Sequence, residues 1–336
     1  MPLGKSRYDY CKMVPAFWNI IFVIYNHMDD LIETAVREVL AGKKYAAIGG
    51  AAVRRICAEM AGKHASLKEL VKAVKKELHI IHGSFLTGDC HKQAAALIRG
   101  CCGGNGYGGD MHSDRETALT LMGLHVSTRE RLADAQEIYG YIGGVIKPGD
   151  AIADIGCGYN PFALPFLPTR PAGYAAFDIC ERTVSLINLY FKPLGPGFAA
   201  YVFDAAAGTT LSDAAAGTTL SDVAAGTTLS DAVAGTTLSD AAAGAPAPIA
   251  ADIVLMLKLF PLLERQRKGR TFELLAETAF RAAIVSFPTK SASGRERGME
   301  AFYSDAFARG LPPSLSVADF AVFGNEMIYV ITRNSP

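Results

Sequence analysis

The chain has 336 residues, half of them hydrophobic and a fifth charged, and its formal net charge is zero. This composition is that of an ordinary globular protein and excludes a fibrous or wholly disordered chain. The N-terminus lacks a secretory signal and the apolar run from Val14 to Tyr25 is too short to span a bilayer, so we expect a cytoplasmic protein without membrane contact.

The cysteines predict neither disulfides nor a metal site. Seven cysteines in a chain large enough to fold without cross-links fit reduced thiols. The pairs among Cys90, His91, Cys101, Cys102 and His112 lack the C-x-x-C spacing of zinc sites. We therefore expect no metal.

The first third of the chain is predicted to be helical. Apolar residues recur at helical spacing between Leu31 and Leu40, and a second helix is predicted from Ala51 to Met60. Ser66 and Glu69 form a capping box at the start of a third helix. We assign residues 1–140 to a helical N-terminal domain and residues 141–336 to a second domain.

The N-terminal domain is also basic. Residues 36–100 hold twelve lysines and arginines against five acids, an excess of seven positive charges. Lys72, Lys75 and Lys76 lie opposite the apolar face of the third helix. A solvated lysine face is the ordinary explanation, but basic residues recur on several helices, which favours a surface that docks on nucleic acid.

Arginines lie where a helix is predicted to begin. In the stretch His125–Leu132, Ser127 or Thr128 can cap a helix whose first turn carries Arg129 and Arg131. Cations at a helix N-terminus oppose the helix dipole, so their position asks for an anionic partner. Arg129 is predicted to grip a carboxylate of a cofactor; the alternative is an ion pair within the helix.

A glycine turn follows a short apolar segment at Ala151–Ala153. Asp154, Gly156 and Gly158 form the pattern Asp-Ile-Gly-Cys-Gly, which allows backbone N–H groups to approach a nucleotide-like ligand. Pro161 stands where a dinucleotide fingerprint has a small residue, so the pattern fits S-adenosylmethionine better than a nicotinamide cofactor. The alternative is a glycine turn that binds no ligand.

From residue 151 strands alternate with helices, which predicts a parallel sheet covered on both faces. Asp178 and Asp204 follow the second and third strands, where the first would accept hydrogen bonds from ribose hydroxyls and the second would reach the adenine edge. Seven strands with a closing hairpin are typical of a class I methyltransferase, a Rossmann-like fold. The predicted strands are Ala151–Ile155, Gly173–Phe177, Ala199–Phe203, Ile253–Leu257, Ala283–Phe287, Ala321–Phe323 and Met327–Thr332.

A low-complexity array interrupts this alternation at residues 204–248. It repeats a nine-residue unit close to Asp-Ala-Ala-Ala-Gly-Thr-Thr-Leu-Ser, which offers one leucine per copy to a core. We interpret it as an expanded surface connection.

Four stretches resemble the aminoglycoside-resistance 16S ribosomal RNA methyltransferases, which modify N7 of guanine 1405 in the decoding site of the 30S subunit. They are His125–Leu132, Asp154–Pro165 (DIGCGYNPFALP), Leu257–Gly269 (LKLFPLLERQRKG) and Val285–Glu300 (VSFPTKSASGRERGME). The resemblance covers residues 110–335, and the N-terminal helices match in basic character.

The resemblance implies a helical domain that docks on the 30S subunit and a class I domain that holds S-adenosyl-L-methionine; we further expect a monomer. It implies that Arg129, Gly156, Asp178 and Asp204 contact the cofactor and that Lys258 and the basic loop Lys290–Arg297 hold 16S rRNA. The predicted cofactor site comprises Arg129, Asp154, Gly156, Gly158, Asp178 and Asp204. The predicted RNA contacts are Lys258, Lys290, Arg295, Arg297, Lys72, Lys75 and Lys76.

No residue is predicted to act as an acid or base, because guanine N7 has an unprotonated lone pair at neutral pH and positioning suffices. Phe260 or Phe287 could stack on a displaced base, although the hydrophobic core is the commoner place for a phenylalanine. Two alternatives remain open: a methyltransferase for a small molecule, and a relative that binds cofactor or rRNA without catalysis.

Overall fold

The computed structural model describes residues 28–64, 66–102, 112–209, 211, 251–289 and 299–334. The run Val14–Tyr25 and most of the array at 204–248 lie outside the described residues. The chain divides into two compact units, Met1–Gly83 and Ser84–Pro336. This division differs from the boundary predicted at residue 140, because the helices after residue 84 share a core with the sheet.

Three helices form the described part of the first unit: α1 (residues 28–40), α2 (Gly50–Ala61) and α3 (Leu67–Leu78), with a π-helical turn at His79–Gly83. The hydroxyl of Ser66 accepts a hydrogen bond from the backbone N–H of Glu69 at 3.3 Å, as the capping pattern predicted. All three helices were predicted, the first and third of them from apolar residues at helical spacing.

Helix α3 separates its apolar and basic residues. Lys72 and Lys76 are exposed and Lys75 is half-buried. They lie opposite a buried face made of Leu70, Val71, Val74 and Leu78.

The second unit begins with helices that pack on the sheet. They are α4 (Cys90–Cys102), α5 (Arg115–Met122), α6 (Val126–Arg129), a 3-10 turn at Leu132–Asp134 and α7 (Ala135–Val145). Ile98, Leu121 and Ile138 from three of these helices lie in one buried cluster with Ile152 of the sheet.

The sheet has seven strands in the order β3-β2-β1-β4-β5-β7-β6. β1 pairs in parallel with β2 and β4, whereas β7 runs antiparallel to both β5 and β6. The predicted strands and the closing hairpin at Gly324 are confirmed, except that the sixth strand begins at Leu315 and not at Ala321. The strands are β1 (Ala151–Ile155), β2 (Gly173–Asp178), β3 (Phe198–Val202), β4 (Ile253–Leu257), β5 (Ala282–Pro288), β6 (Leu315–Phe323) and β7 (Glu326–Arg333).

Helices cover both faces of the sheet. Ile152 and Ala153 are neighbours on β1, yet each packs into a different buried cluster. Both faces of the central strands are therefore buried, which explains their nearly continuous apolar sequence. The remaining helices are α8 (Glu181–Phe191), α9 (Phe260–Gln266), α10 (Arg270–Glu277) and α11 (Met299–Gly310), with 3-10 turns at Asn160–Phe166 and Lys192–Leu194.

Within the described ranges, every helix is too short or too polar to cross a bilayer.

Candidate functional site at the carboxyl edge of the sheet

The glycine turn after β1 requires glycine at two positions. Gly156 and Gly158 have φ angles of +67° and +50°, in the left-handed region that side chains disfavour. A Cβ on Gly156 would lie 2.7 Å from Leu259, and one on Gly158 would lie 3.0 Å from the ring of His125. The turn is thus packed from both sides, a constraint that the motif alone did not reveal.

Asp178 ties the glycine turn to the end of β2. One carboxylate oxygen accepts a hydrogen bond from the N–H of Gly158 at 3.0 Å, and the other accepts one from the N–H of Cys180 at 2.8 Å. Burial raises the pKa of Asp178 to about 6 despite these two donors. Each oxygen keeps a lone pair for a further donor.

Asp154 lies beneath the turn and is almost fully buried. Its Oδ2 accepts hydrogen bonds from Tyr174 at 2.8 Å and from Asn160 at 2.9 Å. Its Oδ1 is buried without a hydrogen-bond partner among the residues that the structure describes. Burial raises the pKa of Asp154 to about 6.

The stretch His125–Leu132 does not form the capped helix that the sequence predicted. Helix α6 has four residues, and neither Ser127 nor Thr128 caps it. The hydroxyl of Thr128 instead donates to the carbonyl of Met122 at 2.6 Å, and Ser127 is hydrogen-bonded to Nδ1 of His125 at 2.9 Å. Because these hydroxyls are engaged with other groups, neither accepts a hydrogen bond from the backbone N–H groups of the first turn, as a cap must.

His125 fills the space beside the glycine turn. Its ring stacks between Phe85, with centroids 5.9 Å apart, and Tyr159, with centroids 5.1 Å apart. The histidine therefore packs the segment that carries Arg129 against the turn at Gly158.

The two arginines of this segment have different environments. Arg129 is exposed, and no hydrogen bond or ion pair with another described residue engages its guanidinium. Arg131 is buried and forms a bidentate ion pair with Glu326 at 2.7 and 2.8 Å. The ion pair within the helix, offered above as an alternative for Arg129, is not seen in the described part of the chain.

Lys258 follows β4 and is held in place by its backbone and its ammonium. Its φ angle is +58°, and its N–H donates to the hydroxyl of Ser286 at 2.9 Å. Nζ lies 2.7 Å from Glu130 and 3.3 Å from Glu326. The structure therefore gives this predicted RNA contact two carboxylate partners that sequence reasoning missed.

Glu326 joins these groups at the start of β7. It is 2% exposed and also accepts a hydrogen bond from Ser286. Burial alone would raise the pKa of Glu326, but the charges of Arg131 and Lys258 hold it below its usual value. The carboxylate is therefore ionised at neutral pH.

Asp204 opens the loop after β3 and is half-buried. Its Oδ1 accepts a hydrogen bond from the N–H of Ala206 at 3.1 Å. Arg270, which is 1% exposed, donates to the carbonyls of Ala205 at 3.1 Å and Thr209 at 3.0 Å. This buried arginine, which the sequence did not single out, anchors the first residues of the repeat array.

The remaining predicted RNA contacts fall in the first unit or outside the described residues. Lys72, Lys75 and Lys76 belong to the first unit, Met1–Gly83. Lys290, Arg295 and Arg297 lie outside the described residues.

The two phenylalanines considered for base stacking are core residues. Phe260 and Phe287 are 3% and 0% exposed and pack around Phe307 at centroid distances of 5.6 and 5.1 Å. Burial of this kind leaves no face for a base.

No group of three or more potential metal ligands occurs among the described residues. His91 contacts Cys90 at 3.7 Å and the hydroxyl of Thr183 at 3.1 Å, and burial lowers its pKa to about 4.

Comparison with known proteins decides the family. The sequence model described as "Ribosomal RNA methyltransferase (FmrO)" matches residues 41–238 and 229–330. The chain belongs to this family of ribosomal RNA methyltransferases. The 16S rRNA (guanine(1405)-N(7))-methyltransferase of Serratia marcescens is 32% identical over 90% of this chain and 99% of its own length. The enzyme of the same name from Proteus mirabilis is 28% identical over 91% of this chain and 98% of its own length.

Solved structures agree with this membership. The 16S rRNA methyltransferase RmtF in complex with S-adenosyl-L-homocysteine aligns with a TM-score of 0.69 at 28% identity, over 90% of this chain and 98% of RmtF. The 16S rRNA methylase RmtB aligns with a TM-score of 0.64 at 28% identity, over 90% of this chain and 98% of RmtB. Together with the strand order, these structures confirm the class I methyltransferase fold.

Proposed function

We propose that this protein transfers a methyl group from S-adenosyl-L-methionine to N7 of guanine 1405 of 16S rRNA in the 30S subunit, and thereby confers resistance to aminoglycosides. The observation that carries the proposal is the convergence of the glycine turn, Asp178, Asp204 and Lys258 at one edge of a class I sheet. The relative from Serratia marcescens, named for this reaction and matched over 90% of this chain, supports the choice of substrate.

The residues at this edge fit the cofactor. Gly156 leaves the backbone without a Cβ where the chain turns back from β1. Asp178 has spare lone pairs for the ribose hydroxyls, and Asp204 lies after the neighbouring strand, where the adenine edge would be reached. Arg129 has an exposed guanidinium suited to the cofactor carboxylate. When bound, S-adenosyl-L-methionine supplies an electrophilic methyl group on a sulfonium.

The protein's own contribution is then to position the target base. Guanine N7 is unprotonated at neutral pH, so the base attacks without a proton acceptor from the protein. Holding two reactants in line lowers the barrier by removing their translational and rotational freedom. The ion pairs of Glu326 with Arg131 and Lys258 fix these side chains at the edge of the sheet where this alignment would take place.

Basic residues in three places would hold the RNA. Lys258 lies at the carboxyl edge, and Lys290, Arg295 and Arg297 come from the connection after β5. Lys72, Lys75 and Lys76 form the basic face of α3, which would dock on the 30S subunit. Phosphate contacts of this kind fix the register of the RNA without reading its sequence.

Labelled methyl transfer from S-adenosyl-L-methionine to purified 30S subunits tests the proposal. We expect incorporation into 16S rRNA of 30S subunits and none into 50S subunits of the same preparation. Cofactor binding without incorporation would contradict it and indicate a catalytically inactive relative. Incorporation into small molecules of a cell extract but not into 30S subunits would contradict it in favour of a metabolite substrate.

A further inference from the structure

Two carboxylates in different environments share the ammonium of Lys258. Nζ lies 3.3 Å from Glu326 and 2.7 Å from Glu130. The side chain of Lys258 is 8% exposed and that of Glu326 is 3% exposed, whereas that of Glu130 is 47% exposed. Glu130 therefore meets the ammonium from the solvent side.

The buried charged group consists of Arg131, Glu326 and Lys258. Its net charge becomes zero only when the neighbouring Glu130 is included. Arg131 holds Glu326 through two hydrogen bonds at 2.7 and 2.8 Å, so this pair is neutral as a unit. The positive charge of Lys258 then remains, and Glu130 supplies its counter-charge. Without Glu130, the buried group would carry one net positive charge and would attract another anion.

The ammonium is also held near the glycine turn, where the cofactor is proposed to bind. The left-handed backbone of Lys258 is fixed by the hydrogen bond from its N–H to Ser286. The next residue, Leu259, packs against Gly156 in the glycine turn. An anion bound to Lys258 would therefore lie near the reacting groups.

The Glu130 carboxylate faces solvent, where an ion pair is weak, so another anion can exchange with it on the Lys258 ammonium. The proposed substrate brings phosphodiesters to this edge, and exposed Arg129 is the proposed partner of the cofactor carboxylate. We propose that Glu130 is an internal competitor for the anion site of Lys258, and that a phosphodiester of the rRNA substrate displaces its carboxylate. This inference rests on the proposed function and adds a residue that tunes RNA affinity.

Replacement of Glu130 by glutamine tests the inference. Glu130→Gln removes the competing charge, and Glu137→Gln removes a charge from another exposed glutamate one helix later. We expect Glu130→Gln to bind 30S subunits about twofold to fivefold more tightly than Glu137→Gln, the range for an ion pair whose carboxylate faces solvent. In a Lys258→Gln background, the same substitution should have no further effect.

The outcomes separate the inference from the function on which it rests. Equal 30S affinities of the two glutamine variants, with methylation of 30S subunits intact, would overturn the inference alone. A gain in 30S affinity on Glu130→Gln that persists in the Lys258→Gln background would also overturn the inference. Tighter cofactor binding in place of tighter 30S binding would overturn it as well. Failure of the unsubstituted protein to bind or methylate 30S subunits would overturn the proposed function and this inference with it.

Discussion

The guanidinium of Arg131 and the carboxylate of Glu326 form a bidentate ion pair at 2.7 and 2.8 Å, with both side chains almost fully buried. The two residues lie 195 positions apart in the chain. Their pair joins the segment after α6 to the start of β7, and it holds Lys258 at the carboxyl edge of the sheet.

Loss of Arg131 should destabilise the protein strongly. Arg131→Met leaves Lys258 as the one cation beside the carboxylates of Glu326 and Glu130, and breaking a buried ion pair by removing one partner costs about 3–5 kcal/mol. Urea denaturation measures this free energy of unfolding. Arg129→Met is the matched control, because Arg129 is exposed, and should change the free energy by no more than about 0.5 kcal/mol. Equal unfolding midpoints for the two variants would show that the pair does not support the fold.

A side chain at Gly156 should disrupt the turn. Gly156→Ala places a Cβ 2.7 Å from Leu259 at a φ angle of +67°, and the left-handed conformation alone costs about 1–2 kcal/mol. Thermal unfolding and calorimetric titration with S-adenosyl-L-methionine should both show a loss. Gly144→Ala, on the exposed side of α7 with open space around it, should leave both unchanged or slightly improve stability. A Gly156→Ala protein that keeps normal stability and cofactor affinity would be inconsistent with the packed turn.

Cofactor binding should weaken in acid. The pKa of Asp178 is raised to about 6 by burial, and the ionised form is the one that accepts from two ribose hydroxyls. Since the complex prefers the ionised carboxylate, affinity is full above pH 6 and falls as the pH drops through 6, by about tenfold per unit below it. Titrations between pH 5 and 8 measure this dependence.

Asp178→Asn provides the control for that titration. The amide carries no charge, so binding should be weak and most of the dependence on pH should disappear. A dissociation constant of the unsubstituted protein that stays the same from pH 5 to 8 would remove Asp178 from the ribose site.

Arg270 should contribute more to the free energy of unfolding than Arg267. Arg270→Met leaves the carbonyls of Ala205 and Thr209 without their donor, and a hydrogen bond to a charged group contributes about 1.5–3 kcal/mol. Arg267 is 42% exposed and pairs with Glu273, so Arg267→Met should cost at most about 1 kcal/mol. Denaturation of the two variants compares them. If Arg267→Met proved as harmful as Arg270→Met, the loop after β3 would not depend on the buried arginine.

The strands were predictable because a strand that is buried on both faces has apolar residues at consecutive positions. Ile253–Leu257 is apolar at every position and is buried at every position, so its limits could be read directly. Ser66 and the apolar spacing of α3 were equally local signals. Asp178 and Asp204 could be placed because the carboxyl ends of parallel strands lie at one edge of the sheet.

The missed features depend on contacts between distant parts of the chain. No local pattern links Arg131 to Glu326, or Lys258 to Glu130, which is 128 residues away. The predicted cap at Ser127 or Thr128 was wrong because the Ser127 hydroxyl pairs with His125 and the Thr128 hydroxyl donates to the carbonyl of Met122. The boundary at residue 140 differed from the observed division because helical periodicity does not tell which core a helix joins.

The central claim is that guanine 1405 receives the methyl group at N7. Its most direct test is transfer of labelled methyl groups to 30S subunits that carry either guanine or adenine at position 1405, followed by reduction, aniline cleavage and mapping of the break. We expect label and a break at this nucleotide in the guanine subunits, and neither in the adenine subunits. Equal labelling of the two kinds of subunit would contradict it.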